Sequence, residues 1–573
     1  MRRTLLVLAS AFLALTASAQ DKTVKLSFIE TTDVHGNYFP YDFLDAKPGS
    51  GSMARITSYV KAQRKLKGND GVVLLDNGDI LQGQPPAYYY NFIDTTSTHL
   101  CADVLNFMNY DAIAVGNHDV ETGHAVYDRW ISQCTMPVLG ANAVVTATGK
   151  PYWKPYTILE RQGVKIAVFG MITPGIPMWL PEKLWTGLRF DDMADVARKY
   201  MPEMRSKADV VIGLFHSGVG NGKKAALAEN ATVYVAQTVP GFDVVFCGHD
   251  HRRADRVVVN TAGDSVYVLN PAANAQAVAQ ADFTLTFSQG KLTSKSVAHA
   301  LVDVTGEEPD AAFMQKFSAQ YDSVRKFTAT EIGQNETTME TLPAFFGPSA
   351  FIDFIHQMQL SISGADISFA APLAFDAKIP EGTIRVSDMF NLYRYENQLY
   401  VMQLSGQEIK DYLEYAYSIW TQQMTSASDH LLLFRKDAET LSDPWQRLQN
   451  PSYNFDSAAG ILYTVDVTKP KGQKVTIQSL ADGRPFDLKT KYRVAVNSYR
   501  GNGGGGLLTE GAHIPEAELT KRIVWSTDKD LRFYLMTAIQ QMGTIAPQPL
   551  NQWKFVPEDW AQQAKERDAK LLK

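Results

Sequence analysis

The sequence predicts an α/β protein of more than one domain. Short apolar runs recur along the first half, each breaking into Gly, Asp, Asn or His, and stretches between them repeat apolar residues at helical spacing. The length of 573 residues, with 45% hydrophobic and 20% charged side chains, is ordinary globular composition and long enough for more than one core, at roughly 100–200 residues per domain. In open α/β sheets, ligands sit beyond the carboxyl ends of the strands, so the polar breaks are candidate functional loops.

The N-terminus reads as a leader. Arg2 and Arg3 precede an almost wholly apolar run from Thr4 to Thr16, and Ala17-Ser18-Ala19 is a small-residue cleavage site. Residues 1–19 are therefore expected to be a signal peptide, with the mature chain starting near Gln20. The run is shorter than the roughly 20 residues of a membrane span, and no Cys follows the cleavage site to carry a lipid. A periplasmic or secreted protein without a membrane anchor is expected. The chain carries 55 basic and 61 acidic side chains, net −6. With no basic block, a nucleic-acid polymer is not an expected partner, whereas a small phosphate is compatible because metals supply positive charge locally. Cys101, Cys134 and Cys247 fit either one disulfide and a free thiol or three buried thiols, and their spacing matches no Cys-based zinc site.

In chain order, Lys25 to Thr32 is a strand-type run ending in Asp33-x-His35. A period of two puts both side chains on one side, where a carboxylate and an imidazole suit a divalent metal. Gly71 to Leu75 runs into Asp76-Asn-Gly-Asp79, with Gly78 permitting a tight turn that points Asp79 back over the strand end. Gln82 to Tyr90 reads as a loop and Ser97 to Asn109 as a helix. The run Asp111 to Val115 then breaks at Gly116 and presents Asn117, His118 and Asp119. Val164 to Gly170 is a buried strand without a ligand, and Asp191 to Lys207 an amphipathic helix through Met193, Val196, Ala197 and Tyr200. Asp209 to Phe215 ends in His216, and Phe242 to Gly248 ends in His249-Asp-His251, again read as two side chains on one side. Ala281 to Val304 is a hairpin turning at Gln289-Gly290.

Five of the eleven His residues, at 35, 118, 216, 249 and 251, thus follow apolar strands directly. A structural zinc site would be closed by four ligands, typically rich in Cys. Here there are too many oxygen and nitrogen ligands for one ion, and two metals sharing a carboxylate fit better, clamping the attacking and leaving oxygens of an in-line displacement.

Together and in this order, these five blocks resemble the calcineurin-like binuclear metallophosphoesterases over residues 25–255. The resemblance implies that Asp33, His35 and His251 hold one divalent metal, that Asn117, His216 and His249 hold a second, and that Asp79 bridges the two. It makes His118 a stabiliser of the transition state or leaving group, not a ligand. The 5′-nucleotidase branch often pairs this His with an Asp three residues on; Glu121 stands there instead and is its candidate catalytic partner. Zinc, manganese, iron and cobalt all suit such mixed ligands.

A polar, helical segment at 305–330 reads as a linker and hinge. Beyond it, Pro380 to Asn397 and Leu404 to Leu413 look like the C-terminal domain of 5′-nucleotidases. Asn454 to Thr468 and Val496 to Gly506 are closer to the periplasmic 2′,3′-cyclic-nucleotide 2′-phosphodiesterase/3′-nucleotidases. The 5′-nucleotidases typically carry Gly-Gly-x-Arg early in this domain, whereas Ser368 to Phe375 stands in that region without Arg. The resemblance gives Tyr395 and Tyr499 the role of two aromatic faces holding a nucleobase, which stacking allows for any base. Read without it, either Tyr is more readily half-buried core with a wet hydroxyl. Asn397 is a candidate hydrogen-bond partner of the base, Asn117 a candidate substrate contact, and the glycines 503–506 would let backbone approach a ligand.

The expected architecture is therefore a signal peptide (1–19), an αββα metallophosphoesterase sandwich (20–304), a linker helix (305–330) and an α+β nucleoside-binding domain of 5′-nucleotidase type (331–573). The expected protein is a secreted, monomeric hydrolase using two divalent metal ions and water. Its expected substrates are 2′,3′-cyclic nucleotides, cut to 3′-nucleotides and then to nucleoside and phosphate. A 5′-nucleotidase or nucleotide-sugar hydrolase, and a periplasmic nucleotide-binding protein without turnover, are the competing readings.

Overall fold

Two six-stranded sheets lie face to face in the first half of the computed structural model, which describes residues 21–225 and 228–573. The expected signal peptide lies outside the described residues. In the first sheet Lys22–Thr31, Val72–Asp76, Ala112–Ala114 and Val138–Leu139 run parallel, and the hairpin Ala277–Ser288 with Lys291–Asp303 extends one edge antiparallel. In the second, Val164–Ile172, Val210–His216, Val244–Cys247 and Ser265–Asn270 run parallel, flanked by antiparallel Tyr156–Arg161 and Ala254–Val259.

Parallel strands are covered on both faces, which is why Val72–Leu75 and Val210–Phe215 read as unbroken apolar runs. Alternate residues fill the space between the sheets: Leu26, Phe28, Val73 and Leu75 meet Val168, Ile212 and Phe246. The outer faces carry helices, Met53–Lys67 and Leu100–Met108 on one side, Met193–Lys207 and Thr232–Thr238 on the other. Helix starts follow local chemistry, with Ser52 Oγ accepting from Arg55 N at 3.2 Å and Asp192 Oδ1 from Asp195 N at 2.9 Å. The result is an αββα sandwich.

One expected loop is partly helical. Pro85–Tyr88 forms a helical turn and Tyr89–Ile93 a π-type turn, because the two prolines occupy first-turn positions where a missing N–H costs nothing. The segment after Asp303 forms two helices, Ala311–Lys316 and Ser318–Thr328. Phe313, Phe317 and Val324 are fully buried in the same cluster as Phe39 and Phe43, and Lys61 pairs with Asp310 at 2.8 Å. These helices are fastened to the sandwich.

The C-terminal part has a five-stranded mixed sheet in the order Ser457–Ala459, Ile367–Ala370, Lys491–Asn497, Gln398–Ser405, Ile523–Asp530. A smaller sheet pairs Ile461–Asp466 with Val475–Leu480 and Trp553–Val556. The helix Gly406–Trp420 starts with a reciprocal cap between Ser405 and Glu408 and buries Tyr417 and Trp420 against Trp553 and Phe555. Contacts between the two parts include an aromatic cluster and two hydrogen bonds. Tyr88 packs against Phe390 at 5.3 Å and under the Arg532 guanidinium at 5.0 Å. Lys183 Nζ donates to the Thr527 carbonyl at 3.2 Å, and Asn502 Nδ2 to the Trp179 carbonyl at 3.1 Å. All three cysteines are free thiols, Cys101 and Cys247 buried and Cys134 partly so.

Candidate metal centre and active site

The polar breaks converge at the carboxyl ends of the parallel strands, as open α/β sheets place their ligands. They form two adjoining clusters. In the first, His35 Nε2 and His251 Nε2 face each other at 2.9 Å, with Asp33 Oδ1 3.2 Å from His251 Nε2 and 3.8 Å from His35 Nε2. In the second, His216 Nε2 lies 3.1 Å from Asp79 Oδ2 and 3.1 Å from Asn117 Oδ1, and His249 Nδ1 lies 2.7 Å from Asn117 Oδ1.

The backbone that delivers these side chains is not extended. The first strand ends at Thr31, and Asp33, His35, Asp79, His249 and His251 have φ between 49° and 74°. Non-glycine residues in that region are strained and concentrate at functional sites, where the surroundings hold them. Strand alternation therefore gives the right partners for Asp33 and His35 through a different conformation. It fails for His249 and His251, which do not share a side: each joins a different cluster. Two glycines make the close approach of the loops possible. A Cβ on Gly78, at φ +85°, would sit 2.3 Å from Gly116 N, and one on Gly116 would sit 2.2 Å from Asp79 Oδ1.

The donor set fits divalent cations. His216 Nδ1 donates to the Asn77 carbonyl at 2.7 Å, His35 Nδ1 lies 3.2 Å from the Gln82 carbonyl, and His249 Nε2 lies 2.9 Å from Glu229 Oε1. Each of these three rings thus has one nitrogen held by an acceptor, which fixes the tautomer and turns the other lone pair to its cluster. Asp79 Oδ2 is buried and accepts no hydrogen bond. Burial, then the charge of His251, brings His35 down to about 3. Burial pushes the Asp79 carboxyl up, but His216, His118 and His35 outweigh it and hold it well below its ordinary value.

Asp119, unassigned at the level of sequence, holds the two ligand loops together. Its carboxylate accepts from Gly116 N (2.8 Å), Asp79 N (3.0 Å), Ile80 N (3.0 Å) and Leu81 N (2.9 Å). His118 stands beside the clusters at the start of the short helix Asn117–Glu121. Its backbone N donates to Asp79 Oδ1 at 2.8 Å, and its Nδ1 lies 2.5 Å from Glu121 Oε2. Burial would make the ring less basic, but Asp79 and Glu121 outweigh it and lift His118 to about 10.

Side chains of the C-terminal part lie within electrostatic reach of these groups. Tyr395 and Tyr499 are both half-buried. The Tyr395 hydroxyl is raised by burial and feels the charge of Glu121; that of Tyr499 is raised by burial and feels Glu229 and Tyr395. A third ring, Tyr453, is exposed and within electrostatic reach of Tyr499 and Tyr395; the sequence does not single it out, although it directly precedes the Asn454-Phe-Asp456 stretch. Arg500 organises this corner. It meets Asp456 at 2.7 Å and donates to the Tyr453 carbonyl (3.0 Å), Asn454 Oδ1 (3.1 Å) and the Gly504 carbonyl (2.6 Å). Gly504 has to lack a side chain, because a Cβ there would sit 2.6 Å from the Tyr499 ring. Asn397 is buried, and its carbonyl accepts from Leu531 N at 2.7 Å. Trp179 stacks on His249 with 5.5 Å between ring centres.

Residues 26–253 match the calcineurin-like phosphoesterase family, and residues 328–510 match the 5′-nucleotidase C-terminal domain family. A 2′,3′-cyclic-nucleotide 2′-phosphodiesterase/3′-nucleotidase from Yersinia enterocolitica is 27% identical, covering 96% of this chain and 91% of the relative. One of the same name from Haemophilus influenzae is also 27% identical over 96% of this chain and 91% of its own length. Among solved structures, a 5′-nucleotidase precursor from Thermus thermophilus superposes with a TM-score of 0.62 at 20% identity, over 93% of this chain and 100% of the other, and so shares the fold.

Proposed function

Because this chain joins a calcineurin-like phosphoesterase domain to a 5′-nucleotidase C-terminal domain, we propose that it hydrolyses 2′,3′-cyclic nucleotides to 3′-nucleotides and these to nucleoside and phosphate. The observation that carries the reading is the pairing of two adjoining nitrogen and oxygen clusters with a His–Glu pair, set opposite aromatic side chains of the second domain. In this reading Asp33, His35 and His251 hold one divalent ion, Asn117, His216 and His249 a second, and Asp79 contributes to both. Such a pair of ions supplies charge neutralisation of phosphoryl oxygens and activation of water.

The residues of the chain supply the rest. Glu121 occupies Nδ1 of His118, so Nε2 carries the proton available to a departing oxygen. Cations bound at Asp79 would cancel part of that carboxylate's pull on His118, leaving Glu121 to keep the ring protonated. Tyr499, with Tyr453 or Tyr395, presents aromatic faces to a base, and stacking of this kind is indifferent to base identity. The stretch Ser368–Phe375 lacks the Gly-Gly-x-Arg pattern typical of 5′-nucleotidases, which supports the 3′ and cyclic substrates over 5′-nucleotides.

The leader motif at residues 1–19 supports export to the periplasm or medium, and no helix among the described residues is long and apolar enough to cross a membrane. The test is phosphate release from 3′-AMP, 2′,3′-cyclic AMP and 5′-AMP, with and without chelator. Turnover that survives complete metal removal refutes the metal-dependent reading. A higher kcat/KM for 5′-AMP than for the other two replaces it with a 5′-nucleotidase.

A further inference from the structure

Glu229 adjoins the metal centre through His249 and lies within electrostatic reach of the aromatic corner. Its Oε1 takes the His249 ring at Nε2, 2.9 Å away, and its side chain remains 46% exposed. The backbone is fastened, since Ser217 Oγ donates to the Glu229 carbonyl at 2.7 Å and accepts from Ala231 N at 2.9 Å. Its charge also reaches the hydroxyls of Tyr453 and Tyr499. Among the described residues, no Lys or Arg forms an ion pair with it. One oxygen is therefore committed to His249 and the other is left for a donor entering the cleft.

The inference rests on the proposed substrates. With phosphorus at the ligand clusters and the base at the tyrosines, the sugar lies between. A 3′-nucleotide has its 3′-oxygen on phosphorus, and a 2′,3′-cyclic nucleotide has both ring oxygens there. The one hydroxyl free in both substrates is the 5′-OH. We propose that Glu229 accepts a hydrogen bond from the 5′-hydroxyl of the sugar and so selects nucleotides whose 5′ position is unphosphorylated. A carboxylate hydrogen-bonds a neutral hydroxyl well and repels a phosphate placed at the same point.

The experiment compares 3′-AMP with adenosine 3′,5′-bisphosphate on the full-length protein loaded with Mn²⁺, following loss of the 3′-phosphate by chromatography of adenosine and 5′-AMP. Wild type is expected to prefer 3′-AMP. Glu229→Gln keeps an oxygen for the His249 N–H but removes the charge, so the kcat/KM ratio between the two substrates should fall about tenfold or more. Glu229→Ala should lower the ratio as well. An unaltered ratio in both variants overturns the inference. Equal losses on both substrates also overturn it, because they place the effect on His249. Failure of wild type on 3′-AMP with turnover of 5′-AMP overturns the 3′-nucleotide reading and takes this inference with it, a result separate from either of the others.

Discussion

His118 Nδ1 and Glu121 Oε2 are 2.5 Å apart, three residues from each other on the short helix that begins at Asn117. The Glu side chain is long enough to reach the ring from the third position on. His118→Ala is expected to keep its metal content and lose about 10²–10³-fold in kcat, the size of one transition-state donor. Glu121→Gln should shift the pH profile of kcat downward, because a neutral amide no longer holds the imidazolium. Elemental analysis and steady-state kinetics check both. Metal loss in His118→Ala would make it a ligand.

Asp79 presents Oδ2 to the second cluster and faces the charge of His35 in the first. Asp79→Ala should reduce bound metal in both clusters and activity to near background. Two tightly held ions per chain in that variant would contradict a shared role.

The aromatic corner gives a substrate-dependent expectation. Stacking on one ring is worth about 1–3 kcal/mol, so Tyr499→Ala should lower nucleotide kcat/KM by roughly ten- to a hundredfold. Bis-p-nitrophenyl phosphate, which has no base, should lose much less. Running Tyr453→Ala and Tyr395→Ala in parallel decides which ring opposes Tyr499. Equal losses on both substrates with native melting temperature would remove the stacking role.

A stability prediction concerns His356, buried between Ser368 Oγ at 2.9 Å and Ser457 Oγ at 3.1 Å. Burial brings it down to about 3, against about 6.5 in an unfolded chain. Below pH 6.5 the unfolded chain takes up a proton that the folded one refuses, so this group's contribution is present above 6.5 and lost as the pH falls. From pH 7 to pH 5 the stability gap between wild type and His356→Gln should narrow by about 2 kcal/mol. Urea titrations at the two pH values measure it, and a constant gap would refute it.

The parts of the site that could be read in the sequence are those in which ligand type and strand end coincide. Asp33, His35, Asn117, His216 and His249 each follow an apolar run, and the structure brings them into two clusters. The assignment of His249 and His251 to different clusters was not readable from alternation, because both residues are left-handed. The roles of Asp119, Glu229 and Arg500 were not readable for another reason. Their roles are fixed by backbone N–H groups, a ring nitrogen and carbonyls that no spacing rule brings together. The segment 305–330 is polar on average, and the apolar side chains of Phe313, Phe317 and Val324 fasten it to the first domain.

With ions held in both clusters as proposed, the clamp formed by Asp119 would make the centre unequal in its kinetics. It locks the loops of Asp79 and Asn117 into one frame, and Asp79 and His216 at its floor are 1% and 0% exposed. The His251 side chain, at the rim, is 46% exposed. An ion in the Asp33–His35–His251 cluster has a short path to solvent, and one in the other cluster does not. Chelation should therefore be biphasic, with the rim ion exchanging first and the floor ion trapped until the frame itself opens.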